Sequence, residues 1–510
     1  MVWLILWFLT TWLLRDLWPA GFFWSHDGQF HLVRLMHFFT ELTSGQFPVR
    51  FASQMAQGYG YPTFNFYYPL TYYLGSIFKV LGFDFGFSMK LVMYLSTLVS
   101  IAGMYMLGKH KYGKWVGLLG AIVYLLVPYR LVVTYVVGSI PILLTMAVVP
   151  WLLLAIENRN LKQISIWFAL LILSHNISAL IVAPLVVFFA LLQRNIKVWM
   201  GLLWGLGLSA FFLVPALMET SWLKMGQSLT VNFGEHFPTL GQLLYSKWGY
   251  EYSNLGTNRD GMSFQLGVLF WLVMGAVFIK SLFVKKETEV IGVWVLAAVS
   301  LLMMLQISEP LWRTIPLVSQ IQFPWKIALM TSITTPLLLM WLAKHKTWIF
   351  IILLIPISVY TTRNYTRSFE PRRYSDEQIK ELSYLYLGST DIAYEARPYN
   401  SEFVPSFRQS ETSTNPLLRV NYKGRVIEVV NSSDSVQEGT LNTYFYPWWK
   451  SADKNIAVSN DQGLVKVKAQ PKTESKIRYS QTGLEILMNV VSIISLLALF
   501  LYKNDTLAKK

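Results

Sequence analysis

Residues Ile164 to Leu192 read ISIWFALLILSHNISALIVAPLVVFFALL, an apolar block broken once, at Ser174-His175-Asn176. A helix that crosses a bilayer needs about 20 mostly apolar residues, so this block is long for one upright span. Basic residues flank it on both sides: Arg159 and Lys162 before it, Arg194 and Lys197 after it. Short basic loops gather on the cytoplasmic side of membrane proteins, which places both ends of the block on that side. One long tilted helix would fit the length but not the sidedness. Two short helices that meet near the outer face at the polar turn satisfy both. Backbone that leaves helical geometry at that depth must line a cavity or be buried in protein.

The same reading extends outward along the chain. Apolar blocks recur at 2–18, 89–108, 115–137, 139–156, 198–217, 263–283, 290–306, 326–343, 347–361 and 484–502. Lys109-His110-Lys111, Lys285-Lys286, Lys344-His345-Lys346 and Lys509-Lys510 mark the cytoplasmic side. The loops 19–88, 218–262, 307–325 and 362–483 then lie outside, and the expectation is about twelve spans with both termini inside. The opening MVWLILWFLTTWLL has no basic segment before it and no A-x-A site, so it reads as an uncleaved first span. Composition agrees. The 510 residues are 54% hydrophobic and only 14% charged, too few charges to cover soluble domains. The net charge of +15 belongs to cytoplasmic loops rather than to a nucleic-acid surface. With no cysteine, disulfides, thiolate catalysis and Cys-ligated metals are excluded.

Three parts are expected: a transmembrane domain over 1–361 with a long first outer loop (19–88), an extracytoplasmic β-rich domain over 362–483, and a final helix with a cytoplasmic tail over 484–510. The middle part begins with a helical segment, Ser375 to Tyr386. Period-2 runs follow at 424–431, 439–446 and 463–469, separated by turn clusters. A small sandwich is the expected form.

Charged and polar residues are scarce, so their positions carry weight. Loop one opens with Ser25-His26-Asp27, continues to His31 and Arg34, and reaches Arg50 through Gly45-Gln-Phe-Pro-Val. Asp27, His31 and Arg34 are spaced i, i+4 and i+7, one face of a helix. A carboxylate there suits a general base or a metal ligand, and a guanidinium suits a phosphate. The spacing equally fits an interfacial helix whose Asp27 and Arg34 are solvated or paired. The aromatic stretch 59–73, which includes Tyr59 and Tyr67, suits an interfacial belt and also a wall for a lipid tail or a sugar face. His175 and Asn176 lie inside an apolar block, where polar groups are costly and mark function or a bonded turn. Glu219 follows a span and fits an acceptor hydroxyl, a metal or plain solvent. Lys326, four residues after Gln322, is the first charge on entering a span and can hold a phosphate or snorkel. No H-E-x-x-H, P-loop, G-x-G-x-x-G or G-x-S-x-G pattern is present, so direct handling of a cytosolic nucleotide is not expected.

Taken together, His26-Asp27 with His31 and Arg34, the run Gly58-Tyr-Gly-Tyr-Pro to Pro69-Leu70, Ser174-His175-Asn176, and Gln322-Phe-Pro-Trp-Lys326 resemble a bacterial membrane family. It carries the label "6-pyruvoyl-tetrahydropterin synthase-related"; nothing in the chain looks like pterin chemistry. Tyr444-Phe-Tyr-Pro-Trp-Trp-Lys450 is similar to a segment of that family and of YfhO-like membrane proteins. The general plan also resembles the C-type glycosyltransferase fold (GT-C). That resemblance implies a polytopic helical enzyme of the bacterial cytoplasmic membrane whose active site faces outside. It would move a sugar from a polyprenyl-phosphate carrier to a cell-envelope glycan or lipid. Asp27 would be the catalytic base. His26, His31, Arg34, Arg50, His175, Asn176 and Lys326 would face substrate or phosphate, and Tyr59, Tyr67, Glu219 and Gln322 the acceptor or cavity. Many such enzymes show two acidic residues near loop one, whereas here His26 stands beside Asp27. A divalent metal on Asp27 is therefore open, and no other cofactor is implied. The competing expectation is a non-catalytic protein that transports or assembles lipid-linked glycans; against it, no inverted repeat shows in the hydropathy pattern.

Overall fold

The structure is a computed structural model that describes residues 1–56, 58–223, 232–253, 261–284, 287–344, 347–386 and 415–502. The expected basic segments Lys285-Lys286, His345-Lys346 and Lys509-Lys510, and residues 387–414 of the expected β-rich domain, lie outside the described residues. The chain divides into two compact units drawn from interleaved segments. The first contains Met1–Leu32, Tyr68–Gly207 and Val231–Asp376; the second contains Val33–Tyr67, Leu208–Thr230 and Glu377–Lys510.

Every apolar block of the sequence carries a helix, but the helices are shorter than the count of about twelve spans requires. Among the described residues, six are long and apolar enough to cross a membrane: Phe85–Tyr112, Ile140–Glu157, Asn176–Gln193, Ile196–Trp222, Pro324–Ala343 and Gly483–Leu501. The number rises to eight if each of two bent pairs is one span. These lengths do not confirm the expected count of about twelve. Val2–Leu13, Leu161–Ser174 and Val268–Phe283 are apolar, yet they are 12, 14 and 16 residues long. At about 1.5 Å per residue none of these spans the roughly 30 Å hydrocarbon core unaided. The block 164–192 does divide as its polar break demands: one helix ends at Ser174 and the next starts at Asn176.

In the first unit, small residues let helices approach closely, as they do where lipid leaves packing as the main attraction. A Cβ on Gly117 would sit 2.6 Å from the Tyr105 carbonyl, and one on Gly103 would sit 2.7 Å from the Trp151 ring. Helix hydroxyls such as Ser96, Thr97, Ser165 and Thr334 donate to the carbonyl four residues earlier, so they bring no unmet polar group into the interior.

One bent pair shows how a buried cation is accommodated. The helix Lys114–Leu125 breaks before Pro128 and resumes at an angle of 45°. Proline has no N–H, so the carbonyl of Tyr124, four residues earlier, loses its helical donor. Arg130 Nε supplies that donor at 3.0 Å, and its terminal nitrogen reaches Ser100 Oγ at 2.7 Å. The segment ends in a π-turn, Val133–Val137, closed by Gly138 in the left-handed region at φ 69°. That turn receives loop one: the amides of His26 and Asp27 donate to the carbonyls of Val136 and Val137 at 3.0 and 2.8 Å. A Cβ on Gly138 would lie 2.2 Å from Ser25 Oγ, so the close approach requires glycine there. Strand β1 (Phe22–Trp24) pairs antiparallel with β2 (Phe369–Tyr374) beside it.

The second unit contains two antiparallel sheets. One has the order β3-β4-β9-β6, with β3 Leu418–Lys423, β4 Val426–Asn431, β6 Trp449–Ser451 and β9 Thr473–Tyr479. The other has the order β5-β8-β7, with β5 Gln437–Tyr444, β7 Ile456–Asp461 and β8 Leu464–Ala469. Strand β9 alternates buried and exposed residues along its length, as a sheet with one covered face must. Ile427, Val429, Val465, Val467 and Ile477 form the apolar interior with Trp448. The last helix, Gly483–Leu501, starts with a reciprocal cap between Thr482 and Glu485.

Candidate functional site

In the first unit the site is assembled from three remote stretches of sequence. The helix Gly28–Thr43 begins directly after Asp27, whose carbonyl accepts from the His31 amide at 3.0 Å. Asp27 therefore lies one helical turn from His31, and its side chain is half-buried. His31 is buried, and its Nδ1 pairs with the Tyr72 hydroxyl at 3.0 Å.

His175 occupies the break between the two short helices. Its backbone is extended, and its Nδ1 accepts from the Ser178 amide at 2.8 Å, which caps the second helix. With Nδ1 accepting, the ring proton of the neutral imidazole belongs on Nε2, which makes that nitrogen a donor. Tyr68 packs on the ring at 4.5 Å between centroids. His31 and Lys326 both lie within electrostatic range of His175. Lys326 follows Gln322, which adopts φ 69°, and donates to the Gln322 amide oxygen at 3.2 Å; it also sits 4.8 Å from the Phe323 ring centroid. His31 and Lys326 thus each act electrostatically on His175 within this unit. Asn176 is exposed and accepts from the neighbouring Ile177 amide.

His26 has a different setting. Its Nε2–H donates to the Tyr250 carbonyl at 2.9 Å, and its ring stacks on Tyr252 at 4.4 Å. Burial against these rings lowers its pKa to about 4. The native form therefore binds fewer protons than the unfolded chain between about pH 6.5 and 4. Stability from this group is complete above 6.5 and falls as pH drops through that window, with a slope of up to about 1.4 kcal/mol per pH unit. Thermal unfolding of the wild type across pH 7 to 4 should show this decline, and His26→Phe should flatten it.

In the second unit, Arg34 lies over the Tyr67 ring at 3.9 Å and is buried. Arg50 is also buried. Its guanidinium donates to Asn65 Oδ1 at 2.5 Å, to the Phe211 carbonyl at 2.8 Å and to Asn489 Oδ1 at 3.1 Å, while Glu485 lies 3.8 Å from its Nε. Glu219 is buried as well, with one oxygen accepting from Asn65 and the other from Thr482. Arg50 and Glu219 therefore belong to one network whose acceptors are protein groups. Tyr59 contacts the Tyr444 ring at 5.2 Å and lines a cavity of the same unit.

Spacing alone did not single out Asn65, Tyr72, Glu485 or Thr482. The S/T-x-x-E pattern at Thr482–Glu485 before an apolar run was the one available signal, and it indicates a helix start rather than a partner for Arg50. Among the described residues, no three His, Asp or Glu side chains gather as a metal site requires.

A family of membrane proteins, described as the 6-pyruvoyl-tetrahydropterin synthase related domain, matches residues 64–369, more than half of the chain. The chain belongs to this family. The matched stretch contains Tyr67, Tyr68, Tyr72, His175, Asn176, Glu219, Gln322 and Lys326, while Asp27, His31, Arg34 and Arg50 precede it. Membership establishes a membrane protein. The comparison with curated proteins gives no match. Among solved structures, the apo oligosaccharyltransferase of Archaeoglobus fulgidus superposes with a TM-score of 0.40 at 14% identity. The similarity covers 79% of this chain and 56% of that one, and its score is too low to establish a shared fold.

Proposed function

We propose that this family member is a GT-C-type membrane glycosyltransferase of a bacterial cytoplasmic membrane, acting on the outer side. It takes a sugar from a polyprenyl-phosphate carrier and gives it to an envelope glycan or lipid. The observation that supports this reading is that His31 and Lys326 both lie within electrostatic range of His175 in one unit, with Asp27 a single turn before His31. A cation, an N–H donor and a carboxylate one turn before His31 suit a reaction that expels a phosphate and removes a proton.

The roles follow from the chemistry of each group. Asp27 accepts the proton of the acceptor hydroxyl. The hydroxyl oxygen bonds to the anomeric carbon as the bond from that carbon to the phosphate oxygen breaks. The electron pair leaves with the phosphate, whose charge Lys326 neutralises while His175 Nε2–H donates to it. Tyr72 and Ser178 hold the two imidazoles in register. A preset donor costs no reorganisation at the moment of transfer.

The test is retention of the carrier. Native mass spectrometry of the protein in nanodiscs doped with undecaprenyl phosphate should show one bound carrier. Lys326→Met should weaken retention about 10- to 100-fold, the size of one charge-assisted hydrogen bond. Equal retention by wild type and Lys326→Met would remove Lys326 from the site. No retention by either would count against a carrier-using enzyme and favour a scaffold.

A further inference from the structure

The second unit holds a cavity of about 510 Å³ whose lining includes none of Asp27, His31, His175 and Lys326. One wall comes from loop one: Phe51, Ser53, Gln54 and Gly58 to Gly60. The facing wall comes from the two sheets: Tyr422, Gly424, Ile427, Thr443 and Trp449. We propose that this cavity is a binding site for a neutral saccharide, independent of whether the protein transfers sugar.

The lining supports that class of ligand. The exposed ring of Tyr422 and the half-buried ring of Tyr59 offer faces to the C–H side of a pyranose. The exposed Gln54 offers its amide to the O–H side, and Ser53, whose hydroxyl donates to Glu41, can still accept there, while Trp449 and Thr443 are buried in the wall behind them. No lining residue is charged, so an anionic or cationic ligand finds no counter-ion in the walls. A lipid tail would strand the polar groups. The volume falls within the range of small-molecule sites, about 300–1,000 Å³.

Local construction keeps the walls polar and open. Between Thr440 and Tyr444 strand β5 loses its register with β8, and the irregular stretch carries Thr443. Such irregularities re-aim side chains at sites. The Tyr422 hydroxyl accepts from the Asn442 amide at 3.0 Å, which leaves its own hydrogen to donate. Gly58 and Gly424 have φ of +82° and +59°, and a Cβ built on Gly58 meets no atom within 4 Å. Two backbone turns of positive φ thus present no side chain at the cavity.

The experiment measures binding rather than turnover. The full-length protein is placed in lipid nanodiscs, because maltoside detergents would compete. Maltose, cellobiose, mannobiose and N,N′-diacetylchitobiose are then offered as separate probes and followed by saturation-transfer NMR. At least one should bind to the wild type, and Asp27→Asn should bind it equally. Gln54→Ala and Tyr422→Ala should each weaken binding about tenfold or more, with thermal unfolding unchanged for the exposed Gln54. No binding of any probe by the wild type overturns the proposal, as does binding that neither variant alters. Saccharide binding by a protein with no transferase activity would sustain this site while rejecting the proposed function.

Discussion

Asp27→Asn is expected to leave the protein folded and to lower turnover of a polyprenyl-phosphate sugar by about 10²–10⁴, the contribution of one positioned general base. The side chain is half-buried, at the start of the helix Gly28–Thr43. The amide keeps the size of the carboxylate and can still accept at a helix N-terminus, where Asn caps nearly as well as Asp. The helix also has a second anchor, since the Asp27 amide donates to the Val137 carbonyl at 2.8 Å whatever the side chain. Loss of activity without loss of thermal stability therefore isolates proton transfer. If the variant instead unfolded with its activity per folded molecule intact, Asp27 would be a capping residue. Wild-type turnover in a stable variant would remove it from the mechanism. Carrier retention should survive the substitution, because the phosphate is assigned to Lys326 and His175.

Arg50→Met should be the most destabilising single change outside the apolar core, by about 3–5 kcal/mol. The sequence offers Arg50 as a ligand for phosphate. Its surroundings favour a structural role: three acceptors take its hydrogen bonds, and Glu485 faces it at 3.8 Å with both side chains buried. Removing the guanidinium strands a buried carboxylate and leaves Asn65 and the Phe211 carbonyl without a donor. Glu485→Gln in the Arg50→Met background should recover part of the loss, because Gln retains the reciprocal cap with Thr482 while removing the charge. The double-variant cycle, read from thermal unfolding in nanodiscs, should show coupling of about 0.5–3 kcal/mol. Additive effects would mean that the two side chains do not act together, and a phosphate role for Arg50 would regain support.

The parts of this protein that could be read from its sequence are those with local causes. The polar break at Ser174-His175-Asn176 divides two helices because a polar group in an apolar block must be bonded, and His175 meets that need by capping. The period-2 runs near 424–431, 439–446 and 463–469 became β4, β5 and β8 because alternation reports one covered face. Strands β3, β6, β7 and β9 lie outside those runs; β6 is only 3 residues long and β7 has a polar second half. The number of spans is not legible in this way, because apolar composition does not reveal where a helix stops. Val268–Phe283 starts only after Gly267 at φ 88°, five residues inside the apolar block. The electrostatic reach of His31 and Lys326 to His175 was not legible, since no spacing rule joins residues separated by more than a hundred positions. Nor was the network around Arg50, whose partners come from three separate stretches of chain. The polar residues themselves were visible because so few occur in apolar surroundings; their sorting into substrate-facing and structural groups needed coordinates.

The central claim is that Asp27, His175 and Lys326 act on one lipid-phosphate sugar. The measurement that tests it most directly is loss of sugar from the carrier. Purified protein in nanodiscs is offered a panel of polyprenyl-phosphate monosaccharides with envelope extracts as acceptor, and the carrier is followed by mass spectrometry. The account predicts that wild type depletes at least one donor, by transfer or slow hydrolysis, and that Asp27→Asn does so at least about 100-fold more slowly. Depletion of no donor by the wild type, or equal depletion by wild type and Asp27→Asn, would contradict it.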